Sequence, residues 1–200
     1  LEIELLTVST EGDRRLDVPL AEIGGKGIFA TEVQAAVLDG RADLAVHSAK
    51  DLPAVTAAEL CLAAIPTRGD ARDALVGSSL KDLRPGAVVA TGSARRRALL
   101  AEMRPDLQFV ELRGNMATRL AKAEQFDAIV VAAVAFERLG LQQHLSELLE
   151  TEEFVPQVGQ GALAIECRVD DAKTAALLAA IEHKPSRLCV EAERAFLAEL

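Results

Sequence analysis

The sequence predicts an α/β protein built as two lobes that are joined by a double connection. Short apolar stretches alternate with helical stretches from residue 73 onward, and strands regularly followed by helices favour parallel pairing with helices on both faces of a sheet. Polar segments containing glycine or proline lie at the two ends of this alternation, near residues 67 and 157. We therefore expect the chain to leave one lobe, build a second and return, and such joints make good hinges.

The composition supports a sizeable core and disfavours several kinds of partner. A chain of 200 residues buries roughly 70% of its unfolded surface. Half of the residues are hydrophobic but only 3% are aromatic, so the core must consist of Ala, Val, Leu and Ile, and base stacking is disfavoured. The net charge of −9 disfavours nucleic acids and anionic membranes. We therefore predict no nucleic-acid partner and no membrane partner.

The cysteines indicate a reducing compartment. Cys61, Cys167 and Cys189 are odd in number and widely spaced without a C-x-x-C pattern, which predicts neither a disulfide framework nor a zinc site. The sequence shows no signal peptide and no apolar run of the length that spans a membrane. A cytoplasmic protein without a bound metal fits these features. Because the sequence starts at Leu1 without Met, we expect it to be an internal piece of a longer protein.

The first lobe is predicted to begin with a strand over residues 1–8, where apolar residues alternate. Three glycines then surround Lys26 in residues 24–29 (GGKGIF), a flexible entry to a helix over residues 29–38 that Gly40 ends. This glycine pattern lacks the spacing of a phosphate-binding P-loop. Glycines flank many turns, so an ordinary surface lysine explains Lys26 in this setting.

Two further strands complete this part of the first lobe. An apolar strand over residues 42–46 leads into the motif VHSAKDLP at residues 46–53, and Pro53 stops further regular structure. A second apolar strand covers residues 60–65. Catalytic groups in α/β folds tend to lie just beyond the C-terminal end of a strand, and this motif occupies such a position.

The VHSAKDLP motif places a hydroxyl, an ammonium and a carboxylate side by side. These groups belong to Ser48, Lys50 and Asp51, and we predict that Asp51 is the catalytic residue. The alternative is that Asp51 forms or caps a turn, which is the commoner role of an Asp before Leu-Pro. His47 is more simply explained as a residue at the end of the strand than as a catalyst.

The second lobe shows the clearest alternation of strands and helices. Strands are predicted over residues 73–76, 87–90, 107–112 and 127–133, and helices over 93–103, 116–125 and from the end of the last strand to 149. The sequence PQVGQG at residues 156–161 then breaks the pattern. A strand over 162–167 and helices over 171–182 and 185–200 complete the chain.

Two neighbouring turns are predicted to bind anions. The sequence TGSARRR at residues 91–97 follows a strand and opens a helix, whose free backbone N–H groups favour negative charge. Arg95 and Arg96 add planar guanidinium groups that match carboxylates or phosphates. The residues Arg113 and Arg119 repeat the arrangement at the next strand exit. We expect both turns to direct cations into one cleft.

The distribution of charge supports a local cationic site. The segment from residue 81 to 122 contains nine Lys and Arg residues but only four acidic ones, although the whole chain is acidic. Such a site inside an acidic protein suggests a small polyanionic ligand. The alternative is that these arginines line solvated helix faces, which is the explanation that we keep for Arg97.

Seven motifs, taken in order, resemble the family of hydroxymethylbilane synthase, also called porphobilinogen deaminase. The resemblance covers essentially the whole chain. The motifs are GGKGIF, VHSAKDLP, TGSARR, LRGNMATRL, DAIVVAAVAFERLGL, VGQGALAIECR and VEAERAFLAEL. One such motif would be weak, but seven in the family's order are specific.

The resemblance implies a particular domain organisation. Members of the family have two lobes with mixed sheets flanked by helices, similar to type II periplasmic binding proteins, and a small third α/β domain. On this basis domain 1 is expected to comprise residues 1–66 and 157–183, and domain 2 residues 67–156. Residues 184–200 would begin the third domain.

The resemblance also implies a reaction and a set of site residues. Members of the family remove ammonia from porphobilinogen and join four units into linear hydroxymethylbilane on a covalent dipyrromethane primer, in porphyrin and heme biosynthesis. Asp51 would be catalytic, and the growing acidic pyrrole chain would need a cationic cleft. The cofactor would be bound by Ser48, Lys50, Thr91, Ser93, Arg95, Arg96, Arg119, Gln160 and Gly161. The substrate would be bound by Lys26, Arg113, Arg119 and Arg138, and the protein would be a monomer.

The sequence departs from the family pattern at its ends. The family attaches its cofactor to a Cys in a G-G-C motif, which we expect beyond Leu200, since none of the three cysteines occupies that position. We therefore expect the 200-residue piece to be inactive alone. The alternative hypothesis is a non-catalytic, two-lobed module that binds small anions, which would explain the arginines and the hinge but not VHSAKDLP.

Overall fold

A computed structural model describes residues 2–9 and 30–199 of the chain. The chain divides into two compact units, of which the first comprises Leu1–Arg68 and Ala162–Leu200 and the second comprises Gly69–Gly161. The chain therefore passes between the units twice, after Arg68 and after Gly161. Within the described residues, no helix has both the length and the apolar character that crossing a membrane would require.

Eight strands and six α-helices are described in chain order. The strands are β1 (Leu44–Ser48), β2 (Leu60–Ala64), β3 (Asp73–Val76), β4 (Val88–Ala90), β5 (Gln108–Val110), β6 (Ala128–Ala132), β7 (Leu145–Leu149) and β8 (Leu163–Arg168). The helices are α1 (Thr31–Leu38), α2 (Ala94–Met103), α3 (Met116–Lys122), α4 (Ala133–Arg138), α5 (Ala172–Leu178) and α6 (Lys184–Ala198). Short 3₁₀ turns follow several of them, including Ala49–Asp51 directly after β1.

The first unit contains a three-stranded antiparallel sheet in the order β1-β8-β2. The central strand β8 pairs with β1 on one side and with β2 on the other, so its backbone is hydrogen-bonded on both edges. One apolar cluster of this unit joins Leu52, Ile65 and Ala164 to Val190 of helix α6. Residues 184–199 therefore pack on the first unit, and the expected start of a third domain has no separate core among the described residues.

The second unit contains a five-stranded sheet in the order β5-β4-β6-β3-β7. Strand β4 runs parallel to β5 and β6, whereas β3 runs antiparallel to β6 and β7. The sheet is therefore mixed, and parallel pairing was predicted correctly only for its β4, β5 and β6 strands. The connection from β3 to β4 contains no helix, which is consistent with β3 lying outside the parallel part of the sheet.

Apolar residues cover both faces of the second sheet. Leu75 and Val130 belong to a cluster that includes Leu100 of helix α2. Their chain neighbours point to the opposite face, where Val131 packs in a cluster with Phe136 of helix α4. The prediction of helices on both faces is therefore confirmed, and this arrangement fixes the helices that follow β4, β5 and β6.

Two predicted elements are wrong. Residues 2–9 form no strand, and the side chains of Ile3 and Leu5 are 81% and 89% exposed. A strand is defined by its hydrogen bonds to a neighbour, and no described strand pairs with this segment. The helix expected to reach residue 149 is replaced at Leu145–Leu149 by strand β7, because pairing with β3 overrides the helix propensity of Leu and Glu.

Candidate active site

Asp51 lies on a short 3₁₀ turn that begins where strand β1 ends. The turn is anchored by buried Ala49 and Leu52, and the Ala49 N–H donates to the carbonyl oxygen of Ala162 at 3.0 Å. Asp51 itself is exposed, while Lys50 and Ser48 are half-buried. The first unit therefore buries two anchors of the turn and leaves Asp51 exposed.

A buried polar pair fixes the strand that leads into this turn. The Nε2 atom of His47 lies 3.0 Å from Oε2 of Glu166, and Gln34 Nε2 donates to the same oxygen at 2.9 Å. Glu166 is fully buried in the central strand β8. His47 was predicted to lie at the end of a strand, whereas Glu166 was not identified from the sequence. The available signal was a single carboxylate inside the apolar run ALAIEC at residues 162–167.

Helix α6 supports the segment that follows the turn. Arg194 donates from Nη2 to the carbonyl oxygen of Ala54 at 3.0 Å. Burial lowers the pKa of Arg194, and the negative charge of Glu166 opposes this shift. The turn at Ala49–Asp51 is thus fixed before its start by β1 and after its end by α6.

In the second unit, the turn after strand β4 forms the start of helix α2. Thr91 is buried, and its Oγ1 accepts the N–H of Ser93 at 3.2 Å. Ser93 is the N-cap residue, and its Oγ accepts the N–H of Arg96 at 3.4 Å. Because the first backbone N–H groups of a helix have no partner within the helix, this end favours an anion.

Both arginines of this turn bind a buried carboxylate, that of Asp73. Arg95 Nη2 lies 2.6 Å from Oδ2, and Arg96 Nη2 lies 2.7 Å from Oδ1. Burial lowers the pKa of Arg96, and the charge of Asp73 opposes this effect. The side chain of Arg96 is only 8% exposed, against 25% for Arg95. Asp73 was not predicted as a site residue, although a charged residue at the start of the apolar strand DALV was a signal.

The second predicted turn follows strand β5 and opens helix α3. Asn115 caps this helix, and its Oδ1 accepts the N–H of Thr118 at 2.9 Å. Arg119 donates from Nε to the carbonyl oxygen of Gly114 at 2.8 Å. Arg119 and Arg113 are both half-buried. The backbone of the turn therefore restrains the Arg119 side chain.

The two turns are neighbours in the second unit. They follow the adjacent parallel strands β4 and β5, and the Thr91 N–H donates to the carbonyl oxygen of Val110 at 2.9 Å. A Cβ atom on Gly92 would lie 3.0 Å from the carbonyl oxygen of Leu112. This adjacency was predicted from the sequence, and the small residue at position 92 allows the close approach.

The remaining predicted residues of the second unit are Arg138, at the end of helix α4, and Gln160 and Gly161, in its last segment. Gln160 is fully buried, and its Nε2 donates to the carbonyl oxygen of Ala71 at 2.6 Å and to Asp73 Oδ1 at 3.0 Å. Arg138 donates from Nη2 to the carbonyl oxygen of Gly161 at 3.0 Å. These side chains therefore fasten residues 160 and 161 to the rest of the second unit.

The positive charge of the segment from residue 81 to 122 is largely compensated within the second unit. Several of its arginines lie within ion-pair distance of a carboxylate: Arg84 of Asp127, Arg95 and Arg96 of Asp73, Arg97 of Glu111 and Arg104 of Asp106. Asp73 and Asp127 lie outside the segment in sequence, and counting charges along the chain therefore overstated its excess. The Arg104 guanidinium lowers the pKa of Asp106 to about 2.

The candidate residues are divided between the two units. Ser48, Lys50 and Asp51 belong to the first unit, and the arginine turns with Gln160 and Gly161 belong to the second. Lys26 lies outside the described residues. That the two groups face one another across a cleft stays a prediction. Among residues 2–9 and 30–199, no cluster of three or more His, Cys, Asp or Glu side chains could hold a metal ion.

Two kinds of comparison show what the chain is similar to. Residues 1–176 match a family model described as porphobilinogen deaminase, dipyrromethane cofactor binding domain. The chain is 51% identical to a porphobilinogen deaminase of Nitratidesulfovibrio vulgaris, with all of this chain and 65% of that protein aligned. It is 48% identical to a porphobilinogen deaminase of a Roseiflexus species, of which it covers 68%. The chain thus spans about two thirds of the length of these relatives.

Solved structures show only a general likeness. An ABC transporter protein from Parabacteroides distasonis aligns with 74% of this chain and 56% of its own, at 16% identity and a TM-score of 0.49. With a TM-score under 0.5, this likeness carries no argument about function. The sequence matches are far stronger, since one family model covers most of the chain and relatives near 50% identity align along all of it. The chain therefore belongs to the porphobilinogen deaminase family and includes the family's dipyrromethane cofactor binding domain.

Proposed function

We propose that the chain is the larger part of a hydroxymethylbilane synthase, which deaminates porphobilinogen and joins four units into a linear tetrapyrrole. One observation carries the proposal: two strand-to-helix turns of the second unit, which carry Ser93, Arg95 and Arg119, follow the adjacent parallel strands β4 and β5. Each pyrrole unit bears an acetate and a propionate, so the reaction needs a surface that binds several carboxylates. Guanidinium groups and a helix N-terminus are groups suited to that task.

The donors of the second unit fit a dipyrromethane cofactor. The Nε atom of Arg95 is buried and has no hydrogen-bond partner among the described residues, so this guanidinium retains capacity for an acceptor. The residues proposed to hold the cofactor are Ser48, Lys50, Thr91, Ser93, Arg95, Arg96, Arg119, Gln160 and Gly161. When bound, the dipyrromethane supplies the pyrrole to which the first substrate unit is joined. Its covalent attachment is proposed to be to a Cys beyond Leu200.

Not every one of these residues would act in the same way. Arg95 is partly exposed and can donate outward, whereas Arg96 is almost enclosed and donates to Asp73 and to the carbonyl oxygen of Val130. Gln160 is fully buried. We expect Arg95, Ser93 and Arg119 to contact ligand carboxylates directly, and Arg96 and Gln160 to support the surface that contacts them.

Asp51 is proposed to act by its charge. A carboxylate on the exposed 3₁₀ turn can accept pyrrole N–H groups and stabilise the positive charge that develops on a reacting pyrrole. A unit charge about 4 Å away contributes about 4 kcal/mol at an effective dielectric constant of about 20. This energy corresponds to roughly a thousandfold in rate.

Substrate binding is assigned to a second set of residues. Lys26, Arg113, Arg119 and Arg138 would bind the carboxylates of incoming porphobilinogen and of the growing chain. The carbonyl oxygen of Gly161 orients Arg138 at 3.0 Å, and that of Gly114 orients Arg119 at 2.8 Å. We propose a cytoplasmic monomer, with no nucleic acid and no membrane as partner.

Mass spectrometry of the full-length protein tests the function. The expected result is one dipyrromethane adduct on a single Cys beyond residue 200, with Cys61, Cys167 and Cys189 unmodified. Head-to-tail polymerisation of porphobilinogen by the same sample is the second expected result. An unmodified protein that binds pyrrole carboxylates without turnover would instead support a small-anion binding module and would overturn the enzyme proposal.

A further inference from the structure

Asp73 is a buried carboxylate at the start of strand β3, in the interior of the second sheet. Its side chain is 0% exposed, and β3 lies between β6 and β7. A buried carboxylate is costly unless hydrogen bonds and opposite charges compensate it. The groups that compensate Asp73 therefore indicate what this position does.

Three side chains of the second unit converge on this one carboxylate. Oδ1 accepts Arg96 Nε at 3.0 Å, Arg96 Nη2 at 2.7 Å and Gln160 Nε2 at 3.0 Å. Oδ2 accepts Arg95 Nη2 at 2.6 Å. Two guanidinium groups thus share one negative charge, and the cluster keeps an excess of one positive charge.

The Arg95 side chain is held by contacts with three residues. Besides its bond to Asp73, Arg95 donates from Nη1 to the carbonyl oxygen of Val155 at 2.6 Å. Its guanidinium carbon lies 5.7 Å from the ring centroid of Phe154, which is fully buried. Arg side chains have several rotatable bonds, and ordering them before a ligand arrives removes part of the entropic cost of binding.

We propose that Asp73 is a positioning residue for the carboxylate-binding site of the second unit. This role rests on the function proposed above, and Asp73 itself does not contact the ligand. Asp73 orients Arg95 toward the ligand and holds Arg96 in the interior beside the same carboxylate. Through its hydrogen bond with Gln160, Asp73 also connects both arginines to the last residues of the second unit. The ligand class is a pyrrole that carries acetate and propionate groups.

The direction in which Asp73→Asn changes the affinity for an anionic ligand distinguishes positioning from a simple effect of charge. Replacing Asp73 by Asn removes a negative charge near the site, and charge alone would make an anionic ligand bind more tightly. Loss of positioning predicts the opposite, because Arg95 would lose its fixed orientation. Asp127→Asn is the matched control: Asp127 also lies in the second unit and also accepts an arginine, Arg84 at 3.1 Å.

The experiment measures binding to full-length protein that is produced without cofactor in a host that makes no porphobilinogen. The probe is the pyrrole acetate–propionate dicarboxylate that lacks the aminomethyl group of porphobilinogen, so it cannot react. Titration calorimetry is expected to show at least about fivefold weaker binding for Asp73→Asn. Binding by Asp127→Asn is expected to match the wild type. In ¹⁵N spectra, the Nε–H signal of Arg96 is expected to exchange slowly in the wild type and rapidly in Asp73→Asn.

The outcomes separate the two proposals. Absence of probe binding by the wild-type protein would overturn the proposed function. Wild-type binding with equal or tighter binding by Asp73→Asn would overturn the positioning role alone. If Asp73→Asn does not fold, Asp73→Glu takes its place, because it keeps the charge but displaces the carboxylate by one methylene. Weaker probe binding by that folded variant supports positioning, and unchanged affinity overturns it.

Discussion

Gly161 and Gly69 lie so close together that a side chain on Gly161 has no room. The Gly69 N–H donates to the carbonyl oxygen of Gly161 at 3.1 Å, and a Cβ atom on Gly161 would lie 2.6 Å from the carbonyl oxygen of Gly69. The backbone of Gly161 also adopts a φ of +86°, which favours glycine. Glycine is therefore required at the last residue of the second unit.

The substitution Gly161→Ala is expected to destabilise the protein by about 2–4 kcal/mol. The left-handed backbone costs an Ala about 1–2 kcal/mol, and the clash with a backbone oxygen adds to this. Gly40→Ala is the control, since Gly40 has a φ of +72° but no atom within 4 Å of its Cβ position. Urea denaturation measures both. Equal losses of unfolding free energy in the two variants would show that the close contact with Gly69 adds no destabilisation.

The stability of the first unit is expected to depend on pH through Glu182. Its carboxylate accepts Arg187 Nε at 2.5 Å and the N–H of Ile65 at 2.8 Å, which joins the end of β2 to helix α6. The hydrogen bond from Arg187 lowers the pKa of Glu182 from its usual value, and burial opposes this shift. A lowered pKa in the folded state means that the stabilisation is complete above the ordinary pKa of Glu and is lost as the pH falls through the folded value.

The substitution Glu182→Gln should therefore lower the free energy of unfolding by about 1–3 kcal/mol at pH 7. The loss should become progressively smaller as the medium becomes acidic. Denaturation curves between neutral pH and the onset of acid unfolding measure this difference. The exposed Glu124 provides the control Glu124→Gln, which should behave as the wild type. A Glu182→Gln deficit that is the same at neutral and acid pH would contradict the assigned ion pair.

The three cysteines are expected to differ strongly in reactivity. Cys61 and Cys167 face each other on β2 and β8, with their sulfur atoms 3.8 Å apart. Burial raises the pKa of Cys167 to about 11, so little thiolate is present near neutral pH. Cys189 is exposed on helix α6. Iodoacetamide followed by peptide mass mapping should modify Cys189 first and Cys167 last.

Denaturation supplies the control for this order. In urea all three thiols should react at similar rates, because the difference arises from the fold and not from the local sequence. If native Cys167 reacted as fast as Cys189, the described burial of strand β8 would be wrong.

Most local features of the fold could be predicted from the sequence. Glycine and proline follow strands β1, β2 and β4 closely in the sequence, and short apolar runs mark the strands themselves, since both signals arise from neighbouring residues. Strand β7 and residues 2–9 were mispredicted because strand pairing depends on distant partners. In β7 these partners are about 70 residues away in β3.

In the candidate site, too, residues whose role depends on distant partners were not predicted from the sequence. Arg95 and Arg96 stand out in the sequence because they are adjacent and follow a strand, whereas Asp73 lies 22 residues before Arg95 and its role depends on burial. Glu166 is likewise a single acidic residue in an apolar run until the fold brings Gln34 and His47 to it. Motifs therefore identify the groups that contact a ligand more readily than the groups that hold them.

The substitution Asp51→Asn is expected to nearly abolish turnover while it preserves the fold and the cofactor. Asn keeps the shape of the side chain on the exposed 3₁₀ turn, and the buried anchors Ala49 and Leu52 do not depend on the charge. Without the charge, the rate should fall about a thousandfold. The measurements are steady-state kinetics with porphobilinogen, the adduct mass and the melting temperature of the full-length protein. Asp43→Asn, an exposed position just before β1, should retain full activity, and wild-type kinetics in Asp51→Asn would remove Asp51 from the mechanism.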